Sequence, residues 1–390
     1  MRFNSKLPDV GTTIFTVMSR RAAEEGALNI GQGFPDYAID PRLGNALIET
    51  IAEGRNQYAP MEGTIELREQ ISRKLDACYH RRFDPHTEIT VTCGATEALY
   101  DAIQAVVGPG DEVIIFDPAY DAYEPAVRLA GAHSRRIALL PPAFRIDWDQ
   151  VRRTLSDRTL LIIINSPQNP SCTAATAEDL DALAALIRDR PISVLADEVY
   201  EHVLFDGRRH QSVLAHLELR ERSFAVFSFG KTLHATGWRV GYCIAPPKMT
   251  EELRKVHQFN TFSIAAPLQY AIARYLSSYP DAWQGLSGFF QAKRDLLAGL
   301  LKGSGLEPVP AAGTYFHLID YGALSREGDL KFADRLIREA KIATIPLSPF
   351  YAKPPRMTLL RLCIAKRDAT LEAAAERLLA FASGLARVEI

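Results

Sequence analysis

The chain of 390 residues carries 45 Lys+Arg against 47 Asp+Glu and is 47 % hydrophobic and 24 % charged. That balance belongs to a globular chain of two or three folding units and excludes disorder, collagen-like repeats and coiled coils. A formal charge of -2 with no basic run names no nucleic-acid or anionic-membrane partner.

The first residues, MRFNSKLPDVGTTIF, lack the apolar core of a signal peptide. From Glu88 to Ala245 short apolar runs alternate with helical patterns, the sign of crossover units on a largely parallel sheet. The predicted strands are 88–92, 112–117, 134–139, 160–165, 192–198, 224–229 and 239–245. Helices are expected at 95–107, 151–155 and 180–187. Near-continuous apolar strands imply a sheet covered on both faces. The longest aliphatic run, Leu160 to Ile164, is too short for a bilayer. After Pro246 long helices give way to strands at 314–320 and 359–365, with a helix near 331–340 between them. The expected division is an N-terminal segment, 1–44, packed on a smaller α+β domain, 286–390, with a large α/β domain over 45–285.

Five cysteines, Cys78, Cys93, Cys172, Cys243 and Cys363, are odd in number and free of CxxC spacing, as expected of reduced thiols in a cytoplasmic protein. The nine histidines form no HExxH motif, and no GxSxG elbow occurs. No metal site is expected. Gly230-Lys231-Thr232 lacks the earlier glycine of a P-loop, with Ala225 in its place. Gly31-Gln32-Gly33 lacks a third glycine, with Asp36 there instead.

Ligands of open parallel sheets sit beyond the carboxyl ends of the strands. Four clusters fall there. Cys93-Gly94-Ala95-Thr96 opens a helix whose free N–H groups suit a phosphate, although a plain strand-to-helix turn reads the same way. Asn165 to Pro170 is a polar, proline-fixed loop, or simply a turn. Asp197-Glu198-Val199-Tyr200 ends a strand with a carboxylate and a phenol, and a surface Asp beside a packed Tyr is an even alternative. Lys231 follows an apolar strand, where desolvation would free its amine; a solvated surface lysine is the plain alternative.

Taken in order, Asn169-Pro170, Asp197-Glu198-Val199-Tyr200, Ser228-Phe229-Gly230-Lys231-Thr232 and Gly237-Trp238-Arg239-Val240-Gly241 resemble the class I/II pyridoxal-phosphate aminotransferases of the aspartate aminotransferase fold. The resemblance runs from Gly11 to Arg361 and is greatest to the branch of methionine aminotransferases and kynurenine (glutamine) transaminases. It implies fold type I, a mostly parallel seven-stranded sheet plus a smaller α+β domain. It implies pyridoxal 5'-phosphate as cofactor and a homodimer with shared sites.

By that resemblance Lys231 forms the Schiff base and moves the proton, and Asp197 faces the pyridine nitrogen. Tyr200 and Asn169 donate to O3′, while Tyr120 stacks on the ring. Gly94, Ala95, Thr96, Ser228 and Arg239 hold the phosphate, the last an arginine whose burial would be costly without an anion. Tyr58 reaches the phosphate of the neighbouring subunit. Arg361 grips the substrate carboxylate, assisted by Asn169 and the backbone near Gly33.

Ile14, Phe15, Tyr58 and Tyr120 suggest an apolar pocket, and no second arginine suits a side-chain carboxylate. The expected reaction is therefore ping-pong transfer of the amino group of a neutral, methionine-like or aromatic amino acid to a 2-oxo acid. A carbon–sulfur β-lyase is the alternative on the same residues, and a non-enzymic ligand sensor the third.

Overall fold

The computed structural model describes residues 4–386; residues 1–3 and 387–390 of the terminal segments assigned above lie outside the described residues. Seven strands form the main sheet in the order Ile89–Thr92, Gly241–Ile244, Ser223–Ser228, Ser193–Asp197, Thr159–Asn165, Glu112–Asp117, His133–Ala138. All pairings are parallel except those of Gly241–Ile244, which runs against both of its neighbours. The α/β class and mostly parallel sheet expected from the sequence are therefore present.

Strands inside the sheet are buried along nearly their whole length, as a sheet with helices on both faces requires. His133–Ala138, at the edge, alternates exposed and shielded residues and includes two arginines, which keep an edge from pairing further. Register carries the strands to a common end: Asn165 pairs with Asp197, Asp197 with Val226, and Ser228 with Gly241.

A second, antiparallel sheet contains Phe316–Asp320 and Leu359–Cys363, flanked by two-residue strands at 307–308 and 345–346. Leu28 and Asn29 pair in parallel with Ile342 and Ala343, tying the N-terminal segment to this part of the chain. The helix Ile14–Glu24 starts on Thr13, whose hydroxyl accepts from the Thr16 N–H.

Several strand ends differ from the sequence expectation by one or two residues. The run 239–245 begins as strand only at Gly241, because Arg239 is left-handed (φ 54°) after the short helical turn Thr236–Trp238. Phe229 leaves the strand to open the turn Phe229–Thr232. Thr314, at φ 84°, delays the strand expected from 314 until Phe316.

Candidate active site

The turn Phe229–Thr232 carries Lys231 from the end of Ser223–Ser228. A Cβ on Gly230 would lie 3.1 Å from the Thr236 Cα and 3.3 Å from the Ser228 hydroxyl, so a glycine lets this turn close on its neighbours. Tyr315 Oη donates to the Lys231 carbonyl at 2.6 Å. The lysine's Nζ lies 5.6 Å and 5.4 Å from the ring centroids of Tyr200 and Tyr315. Burial among these rings pushes its pKa down to about 8. The solvated-lysine reading is therefore replaced by that of a desolvated amine.

Asp197 ends the adjacent strand and is 4 % exposed, which rules out a surface carboxylate. Burial raises its pKa to about 6, opposed by a hydrogen bond from Tyr123 Oη at 2.6 Å and by the Val199 N–H. Tyr123 is not among the site residues to which the sequence points. Its only sequence signal is position, six residues beyond the strand Glu112–Asp117. Tyr120 contacts Tyr123 edge-on at 5.7 Å, and burial raises its pKa. Tyr200 is buried edge-on against Tyr315 at 5.2 Å.

The helix Gly94–Val106 begins with no side-chain cap, so the N–H groups at its start are left for another acceptor. Gly94 has φ +72°, and a Cβ there would sit 2.5 Å from Arg239 Nη2. Gly241 lets its strand approach the Ala95 N–H, where a Cβ would stand 2.6 Å away. The two glycines thus hold open a cradle between Gly94–Thr96 and Arg239. Arg239 is exposed, and its Nη1 donates to the Thr236 carbonyl at 3.3 Å. The buried arginine considered from the sequence is thus corrected: this guanidinium sits at the rim, where solvent reaches it. Ser228 is buried beside Gly230, and Thr96 is exposed. Tyr58 is 85 % exposed and packs edge-on against Phe262, with ring centroids 5.6 Å apart.

Arg361 lies on Leu359–Cys363 and is 1 % exposed. Its Nη1 donates to Asn169 Oδ1 at 2.5 Å and its Nη2 to the Gly31 carbonyl at 3.0 Å. The guanidinium lies 3.7 Å from the Phe316 ring centroid and 5.0 Å from that of Phe15. Nε is buried with no partner, an orphaned donor of the kind an anionic ligand satisfies. Burial lowers the pKa to about 10, leaving a cation at neutral pH. Gly31 thus holds the guanidinium through its carbonyl, two residues before the Gly33 backbone that the resemblance assigns to the substrate carboxylate. Gly33 itself packs on Phe316, whose ring would meet a Cβ at 2.5 Å. Asn169 is fixed by its N–H to Asn165 Oδ1, and Asn165 in turn donates to the Asp197 carbonyl, both at 2.8 Å.

The cluster therefore joins a desolvated amine, a buried carboxylate, phenols packed edge to face, an anion cradle and an orphaned guanidinium donor. These fit pyridoxal phosphate, which carries an aldehyde, a basic ring nitrogen and a dianion. A separate cavity of about 860 Å³, lined in part by Phe144, Trp148, Leu180 and His317, contains none of these groups.

A family model described as aminotransferase class I and II matches residues 25–378. The chain is 51 % identical over 374 residues to the methionine aminotransferase of Escherichia coli strain K12, covering 96 % of this chain and 97 % of that one. It is 32 % identical to kynurenine–oxoglutarate transaminase 3 of Rattus norvegicus, over 96 % of this chain and 90 % of the relative. Its fold superposes with a TM-score of 0.95 on the crystal structure of YbdL from Escherichia coli, described as having a methionine aminotransferase function, at 49 % identity over 97 % of this chain and all of that one.

Proposed function

The chain belongs to the class I and II aminotransferases, which use pyridoxal phosphate, and on that premise we propose that it moves the amino group of methionine, or of a similarly neutral or aromatic amino acid, to a 2-oxo acid. When bound, pyridoxal phosphate supplies the aldehyde that captures an amine and the conjugated ring that takes up the electron pair left at Cα. The remaining work falls to side chains of this chain. Lys231 holds the cofactor covalently between turnovers and then, freed, carries the proton from the substrate Cα to C4′. Its depressed pKa suits both roles, because a protonated amine could do neither.

Asp197 keeps the ring nitrogen protonated; a cation opposite it favours the carboxylate and offsets the burial that raises its pKa. Tyr200 and Asn169 donate to the ring oxygen, and Tyr120 covers the ring face. Gly94, Ala95, Thr96, Ser228 and Arg239 receive the phosphate. Arg361, with Asn169 already bonded to it, orients the substrate carboxylate, while Phe15 and Phe316 narrow what lies beside it.

The observation that carries the reading is the pairing of the desolvated Lys231 with the buried Asp197 at the ends of two adjacent parallel strands. The side-chain preference is supported by the apolar surroundings of Arg361 and by the relatives' stated substrates. No observation favours the β-lyase alternative, and family membership replaces the ligand-sensor reading.

The reading includes a homodimer. Tyr58, Phe259, Phe262, Ile48 and Ile51 are 85 %, 86 %, 46 %, 67 % and 50 % exposed, apolar area that a second copy would cover. Tyr58 would then serve its partner's phosphate. The division into 1–44, 45–285 and 286–390 belongs to the same proposal, supported by the separate sheets. A cytoplasmic location is proposed from the five free cysteines, and no described helix is long and apolar enough to cross a membrane.

A panel of amino donors followed as half-reactions tests the substrate assignment. Methionine and aromatic amino acids should bleach the enzyme's visible absorbance, and a 2-oxo acid should restore it. Their kcat/KM should exceed that of aspartate by at least about tenfold, since a carboxylate in an apolar pocket goes unpaired. Aspartate as the best donor would overturn the assignment.

A further inference from the structure

Behind the first turn of Gly94–Val106 lies a buried ionic cluster that the reaction does not touch. Glu97, Asp101 and His257 are 8 %, 0 % and 0 % exposed. Glu97 Oε2 accepts from the N–H of Cys93, the residue that precedes the helix. Its Oε1 lies 2.8 Å from His257 Nδ1, and His257 Nε2 lies 2.7 Å from the Met61 carbonyl oxygen. A carboxylate and a carbonyl only accept, so both ring nitrogens donate and the ring is an imidazolium.

Asp101 also faces the ring, its Oδ2 3.7 Å from Nδ1, while Asn260 donates to Oδ1 at 2.9 Å. Burial alone would lower the histidine's pKa, but the two carboxylates outweigh it and hold it up to about 9. The three groups are close enough to hold a metal. Both histidine nitrogens are already committed, however, and the arrangement reads as an ion-pair lock.

Glu97 stands only three residues after Gly94, so its grip on Cys93 fixes the backbone where the cradle's N–H groups emerge. Through His257 that grip is anchored to Met61, in the turn before the helix Ile65–Tyr79. We propose that Glu97 and His257 are positioning residues for the cofactor's phosphate, acting through the direction of the N–H groups of Gly94 to Thr96. The inference deepens the functional reading above and rests on its assignment of that turn to the phosphate.

The test compares the binding of pyridoxal phosphate and of pyridoxal, which has the same ring and aldehyde but no phosphate, to the apoenzyme. It uses wild type, His257→Gln and Glu97→Gln, with folding checked by circular dichroism. The wild type should strongly prefer the phosphorylated form. His257→Gln should weaken pyridoxal phosphate by about tenfold or more, the scale of one lost charged hydrogen bond, and pyridoxal by less than about twofold. Equal losses for both ligands would mean a merely structural lock, and no loss for either would remove the role; each result overturns the proposal. A wild type without preference would instead refute the phosphate assignment itself. Should His257→Gln not fold, Glu97→Gln is read by the same ratio, since it keeps an acceptor for the ring but cannot accept at both positions.

Discussion

Lys231→Ala is expected to lower turnover by at least about 10⁴-fold, because one amine serves both covalent capture and proton transfer, and proton transfer alone is worth up to about that factor. The fold should survive. The Lys231 side chain is desolvated, and the bond that fixes its turn runs from Tyr315 to the backbone carbonyl, which alanine retains. Thermal unfolding within a few degrees of wild type, together with the lost half-reaction, would separate chemistry from stability. The cradle at Gly94–Thr96, Asp197 and Arg239 remains in the variant, so cofactor should still bind, now released by dialysis. An alanine variant that turned over within about tenfold of wild type would remove Lys231 from the mechanism.

Asp197→Asn is expected to cost about 10²–10³-fold in kcat, the scale of removing one preorganised electrostatic partner. Asparagine is nearly isosteric and still offers an oxygen to Tyr123, whose 2.6 Å bond holds the side chain in place. What disappears is the negative charge opposite the ring. The loss should fall on the proton-abstraction step, so a primary isotope effect with α-deuterated methionine should grow while the KM changes little. An undiminished kcat would show that the carboxylate does not face the ring.

The sheet was legible in the sequence because its inner strands are largely buried and read as apolar runs, Leu160 to Ile164 above all. Their ends were less so. Arg239 continues an extended-looking run yet adopts a left-handed conformation, a choice made by the turn Thr236–Trp238 rather than by its own propensity. The two-residue strands at 28–29 and 342–343 are too short for any period.

Within the site, residues borne on strand ends followed from the motifs, since the strand itself fixes their position. Partners supplied from a distance did not. Gly31 reaches Arg361 across 330 positions, and Phe316 packs beneath its guanidinium from a neighbouring strand. Tyr123 and His257 act on Asp197 and Glu97 through side-chain contacts that no local pattern encodes. Their signal lies in the folded geometry alone.

The most direct check is to reduce the pyridoxal-phosphate-loaded enzyme with borohydride, digest it and locate the modified residue by mass spectrometry. A phosphopyridoxyl group on Lys231, at one per chain, is the predicted result. An unmodified Lys231, or the group found on another lysine, would contradict the account.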